Sequence, residues 1–149
     1  MLCNIARCFL GIKENTKRHD VVLSIYNTIE PLPRSYKIKK SDSWCACFVS
    51  VCGYLVGINN FPYEVSASMM FELAKQHFKI VTMPCYNDLI FFKNSKGYIH
   101  HVGIVESVNI GHEDIDYITT IEGNCSNSVK FMHYDYNKIK DVAIFVRIC

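Results

Sequence analysis

The sequence predicts an α+β fold in which amino-terminal helices pack on a carboxy-terminal antiparallel β-sheet. Three observations carry this. As far as His77, apolar side chains recur at helical intervals. After Pro84 the chain breaks into short apolar runs rich in β-branched residues, and turn-forming residues separate those runs. Helices first and strands afterwards, rather than in alternation, is the α+β signature. The 149 residues are expected to form one domain, 1–149.

Leu2 to about Ile12 and Asp20 to about Ile29 show helical spacing, and Pro31 and Pro33 end the second segment. A basic loop, Arg34 to Lys40, leads into Ser41, Asp42 and Ser43. Any of these three can cap a helix that begins near Trp44 and runs to Tyr54 or Leu55, with Gly57 as its stop. A fourth helix is expected over Tyr63 to His77, where Val65, Met69, Leu73 and Phe78 line up. Strands are expected over Asp88–Phe92, His101–Val105, Tyr117–Glu122, Ser128–Tyr134 and Val142–Ile148. Asn94–Gly97, Asn109–Asp114 and Asn124–Asn127 supply turns.

Half of the residues are hydrophobic and the net charge is +2, enough apolar material for a core and too balanced a charge for nucleic-acid binding. The apolar start is broken by Arg7 and runs into Lys13 and Glu14, unlike a signal peptide, so synthesis in the cytoplasm without one is expected. The apolar stretch from Cys45 to Ile58 is too short to span a bilayer, and no membrane insertion is expected. The eight cysteines lack disulfide-framework spacing and contain no Cys-x-x-Cys pair. Apart from Cys45 most of them read as small buried hydrophobes in a reducing compartment, with no metal and no cofactor.

Cys45 lies just inside the start of a buried helix, where unpaired backbone amides and the helix dipole favour a thiolate. His101 opens the strand His-Val-Gly-Ile-Val. Downstream, Glu122 and Asn124 point the same way from one strand. If the two strands are neighbours, a carboxylate and an amide come within reach of one imidazole. Glu122 would hold its tautomer, and nucleophile, base and orienter follow in that order. His100 faces oppositely; His101 shares its face with Gly103, which leaves room for a helix end or substrate. His19, His77, His112 and His133 read as surface or loop residues. Cys47 faces away from Cys45, Cys125 points off the active face, and Cys52 is more deeply packed.

Trp44-Cys45-Ala46 with Phe48-Val49-Ser50 resembles the nucleophile motif of CHAP domains, the cysteine- and histidine-dependent amidohydrolases/peptidases. Asp88–Phe92, His101–Val105 and Ile121–Asn124 resemble the family's next three blocks in order, and Ser126–Val129 is also similar. The motif-bearing part covers about 41–129. The resemblance implies a papain-like (CHAP/NlpC-like) fold and hydrolysis of peptidoglycan amide bonds. Cys45 falls on the nucleophile, His101 on the general base and acid, Glu122 on the orienting acid and Asn124 on an auxiliary polar position. The backbone amide of Cys45 would help to hold the oxyanion. Two departures stand out. Asn87 occupies a usual glycine, and asparagine tolerates the left-handed angles such a turn needs. Where some relatives carry an acidic calcium loop, this chain has only Asp42 among lysines, so no calcium is expected.

The expected function is a peptidoglycan hydrolase, N-acetylmuramoyl-L-alanine amidase or endopeptidase, of phage or prophage lysin type. It would act at the bacterial cell wall after release, with a separate targeting or export partner. The alternatives are a papain-like cysteine peptidase or toxin acting on a protein or small amide, and a non-catalytic interaction domain of the same fold.

Overall fold

The computed structural model describes residues 1–148. Its elements are α1 (Leu2–Cys8), α2 (Lys17–Tyr26), a 3-10 turn (Pro33–Ser35), α3 (Cys45–Val56), α4 (Ala67–His77), β1 (Lys79–Val81), β2 (Leu89–Lys93), β3 (Ile99–Ile110), β4 (Ile115–Cys125), β5 (Ser128–Asp135), α5 (Tyr136–Ile139) and β6 (Ala143–Arg147). The strands form one six-stranded sheet in the order β1-β6-β2-β3-β4-β5, antiparallel at every pairing. The class is α+β.

Several boundaries differ from the sequence expectation, each for a local reason. α1 stops at Cys8 because Gly11, at φ 79°, turns the chain against β5, where its N–H donates to the Val129 carbonyl at 2.9 Å. α2 begins at Lys17 because the Thr16 hydroxyl accepts the His19 N–H. It ends at Tyr26, and the Asn27 side chain then bonds both backbone groups of Ile38. α4 starts at Ala67 behind a Ser66 cap rather than at Tyr63. None of Ser41, Asp42 and Ser43 caps α3; Trp44 holds that position with no side-chain bond to the helix amides, and Asp42 accepts from Lys39 N–H and Tyr36 O–H instead. β3 runs to Ile110 because its pairing with β4 continues to Ile110–Ile115. β1 and α5 were not anticipated.

The sheet buries a different core on each face. Leu89, Phe91, Val102, Ile104, Ile121 and Val146 join the helices' Leu2, Val22, Phe48 and Met70. The alternate residues Ile90, Phe92, Val105, Ile118 and Phe145 form a smaller core with Ile139 of α5. β2 is therefore buried on both faces, which is why it reads as an unbroken apolar run. α3 is buried from Cys45 through Gly53 and stops at Gly57 in the left-handed conformation. It rests directly on β4: a Cβ at Gly123 would lie 2.5 Å from Phe48 Cβ. Asp88 is structural; its fully buried carboxylate accepts from Arg147 Nε and Nη2 and ties β2 to β6.

Candidate active site

Cys45 is the first residue of α3, 4% exposed. Its thiol is within the electrostatic reach of the His101 imidazole and the Val102 backbone amide, and Ser43 Oγ lies 4.0 Å away. Asn124 Nδ2 donates to Ser43 Oγ at 3.1 Å, which leaves the Ser43 O–H free to point at the sulfur. Asn124 sits at φ 57° where the β4–β5 register shifts, so strict alternation ends before it. It therefore serves Ser43, not His101 as the sequence suggested.

His101 and Glu122 belong to the opposite face of the sheet from α3. The imidazole lies beside Phe92, ring centroids 5.8 Å apart, and its Nε2 is 2.6 Å from Glu122 Oε2. Nδ1 is the nitrogen left for Cys45. Glu122 is fully buried, and its Oε1 accepts from Thr120 Oγ1 at 2.6 Å and from Tyr134 Oη at 2.9 Å. Burial and the Glu122 carboxylate push the Tyr134 hydroxyl well above its ordinary range, so it remains a donor. A helix end from one face and a histidine–carboxylate pair from the other meet where β3 begins and β4 ends.

Gly103 makes this possible. A Cβ there would fall 2.6 Å from Glu122 Cγ, so the missing side chain makes room for the carboxylate rather than for a helix end or substrate. Trp44, just before the nucleophile, is clamped from the amino terminus. Its Nε1 donates to Glu14 Oε1 at 3.1 Å, and its ring packs on His19 at 4.6 Å. His19 is fully buried, not a surface residue, because α2 presents it inward against Trp44.

Burial alone would raise the Cys45 thiol, but the hydrogen bond and charge of His101, the Val102 amide and Ser43 bring it below its ordinary value. Burial opposes a charged imidazole, yet Cys45 and Glu122 outweigh it and raise His101 to about 10. Thiolate and imidazolium thus coexist between these two limits. Alkylation of Cys45 by iodoacetamide is expected to be fast already below the usual thiol range. On the alkaline side turnover should hold until pH climbs through about 10, where His101 loses its proton. A rate that rises through pH 8–9, as a free thiol would give, would contradict the ion pair.

The structure brings Cys45, His101, Glu122 and, through Ser43, Asn124 together. His100 is exposed, with its ring centroid 6.4 Å from that of His101. His100→Ala is expected to keep turnover within about twofold, since surface substitutions usually cost under about 0.5 kcal/mol; a dead variant would reverse the assignment. Cys3, Cys47 and Cys52 are buried as expected; Cys8 and Cys85 are exposed and Cys125 is partly so, a correction to the buried reading. Cys149 lies outside the described residues. Sequence reasoning missed Ser43 as a site residue, Tyr134 and Thr120. Only Thr120 left a signal, standing two positions before Glu122 on the same strand face. Asn87 does adopt the left-handed turn, at φ 74°. Among the described residues no group of His, Cys, Asp and Glu is arranged to hold a metal, and no helix is long and apolar enough to cross a membrane.

Fold and site define an α+β protein with a thiol, an imidazole and a carboxylate in line. The CHAP domain family model matches residues 37–124, more than half of the chain, and the chain belongs to the CHAP domain family. No curated protein sequence matches it. It is similar to the crystal structure of Ly7917 (13% identity, 70% of this chain and 53% of that chain covered, TM-score 0.52). It is likewise similar to Ly7917 with the hydrolyzing product of MDP (14% identity, 70% and 53% covered, TM-score 0.53). The chain spans about half of the length of Ly7917, and at such identity the likeness is one of fold.

Proposed function

We propose that this protein is a cysteine-dependent peptidoglycan hydrolase of papain-like architecture, with Cys45 as nucleophile, His101 as acid and base, and Glu122 as the group that orients His101. The observation that carries the reading is the 2.6 Å contact of His101 Nε2 with the buried Glu122 carboxylate, in a pair whose imidazole lowers the Cys45 thiol at the start of α3. Membership of the CHAP domain family and the fold shared with Ly7917, which is described with a hydrolyzing product of MDP, support peptidoglycan as substrate.

The chemistry follows from the resting ion pair. The thiolate attacks an amide carbonyl carbon, and the tetrahedral oxyanion forms beside the unpaired amides at the start of α3, the Cys45 N–H among them. The imidazolium passes its Nδ1 proton to the departing amine as the C–N bond breaks. His101 then takes a proton from water, which attacks the thioester and releases the acid. Glu122 keeps Nε2–H bonded throughout, so the ring cannot turn and Nδ1 stays aimed at the reacting atoms. A phage or prophage lysin acting at the wall after release, through a separate targeting or export partner, is the biological setting we propose.

The test is digestion of purified sacculi from several Gram-positive walls, with soluble fragments read by mass spectrometry. New amino and carboxy termini in the wild-type digest, absent with Cys45→Ala, are expected, and they name the bond cut. Intact sacculi from every wall with folded protein would end the wall-hydrolase reading.

A further inference from the structure

A cavity of about 250 Å³ is lined by Arg34, Tyr36, Asp42, Ser43 and Val65. Larger cavities, of about 490 Å³ by Met69 and Tyr98 and about 360 Å³ by Lys13 and Asn127, do not reach Ser43, Cys45 or His101. The smaller one adjoins the chemistry, because Ser43 is both its wall and the neighbour of the sulfur.

Its walls are held rigidly with respect to the nucleophile. Arg34 Nε and Nη2 form a forked pair with Glu64, at 2.6 and 2.7 Å. Glu64 is 1% exposed, and its carboxylate also accepts the Val65 and Ser66 N–H groups. The Ser50 hydroxyl of α3 bonds both the carbonyl and the N–H of Glu64. Arg34 and Ser35 stand at φ 49° and 52°, a left-handed pair that neither residue prefers. The chain thus accepts local strain to place a guanidinium that is still half exposed beside the groove.

The unspent polar capacity in this groove has two signs. Both Tyr36 O–H and Lys39 N–H donate to Asp42 Oδ2, each at 2.8 Å, and Oδ1 has no hydrogen bond among the described residues. Arg34 Nη1 likewise has none. Tyr36 lines the groove with both charged residues and donates to Asp42. Lys37 and Lys39 on the same loop are exposed. A neutral glycan would leave both charges without partners, and one carboxylate supplies too few oxygen ligands for a divalent cation.

We propose that this groove is a dipolar subsite for the peptide arm of the substrate, binding an ammonium group at Asp42 Oδ1 and a carboxylate at the outer edge of Arg34. The choice of a wall peptide as ligand rests on the hydrolase reading; the two-charge requirement rests on the groove. A ligand lacking either charge leaves a charged protein group desolvated without its partner, which costs about tenfold in affinity for each.

The test uses Cys45→Ala protein and a synthetic stem peptide carrying a lysine amine and free carboxylates, titrated calorimetrically in four forms: unmodified, amine-acetylated, carboxylate-amidated and doubly blocked. Either block is expected to weaken binding about tenfold. Asp42→Asn keeps an oxygen for Tyr36 and Lys39 while removing the charge, and should abolish the effect of acetylation only. Arg34→Gln with Glu64→Gln removes the guanidinium without stranding a buried carboxylate, and should abolish the effect of amidation only. Equal binding of all four forms, or binding of none, overturns the proposal. Wild-type digestion of sacculi judges the hydrolase reading separately, so the two fail independently.

Discussion

Cys45→Ala is expected to lower turnover by about 10⁴ to 10⁶, the range for removing a nucleophile on which a whole site depends. The fold should survive. The change removes one sulfur from a site at the end of α3 and leaves Phe48, Val49 and Cys52 in the core. A shift of about 4 °C or less in Tm is expected. The electrostatics give a second, independent readout. His101 is raised to about 10 by two partners, Cys45 and Glu122, working against burial. Removing the thiolate takes away one of them, so the imidazole should titrate lower in Cys45→Ala than in wild type when followed by NMR. A variant that loses activity but leaves the His101 titration in place would show that the thiol and imidazole are not coupled, and the nucleophile assignment would fall with that coupling.

Glu122→Gln is expected to cost about 10³-fold or more in turnover, with little change in substrate binding. The amide can still meet His101, Thr120 and Tyr134, because both hydroxyls can accept as well as donate. What it cannot supply is the negative charge that stabilises the imidazolium. The high-pH limb of the activity profile, set by His101, should therefore move down from about 10. Gly103→Ala tests the same contact from the other side. Its new Cβ would meet Glu122 Cγ at 2.6 Å and Cδ at 3.3 Å, so the carboxylate must shift away from His101. Overpacking of this kind costs about 1–3 kcal/mol, and activity should fall along with stability. Wild-type turnover and an unmoved pH limb in Glu122→Gln would remove Glu122 from the proposed mechanism.

The sheet was legible in outline because its strands are apolar, rich in β-branched residues and punctuated by turn residues. Ser126 and Asn127 show this: both sit at positive φ, as a two-residue hairpin between Cys125 and Ser128 demands. β1 and α5 were not legible. Lys79–Val81 becomes a strand only because β6 arrives beside it from the far end of the chain. The family blocks at Trp44, His101 and Glu122 could be read locally, since each needs only a few adjacent residues.

Residue type, helical and strand periodicity and block order thus determined the α+β class and the proposed chemical trio. These are properties of near neighbours along the chain. Only the tertiary structure decided that α3 and the His101–Glu122 pair occupy opposite faces of the sheet, and that Asn124 serves Ser43. It alone placed Tyr134 on Glu122, Glu14 and His19 against Trp44, and Arg34 beside the thiol groove. Each of these depends on strand register or on contacts between distant segments. Their energies are set by burial and by close approach at a glycine, and neither has a local signature in sequence.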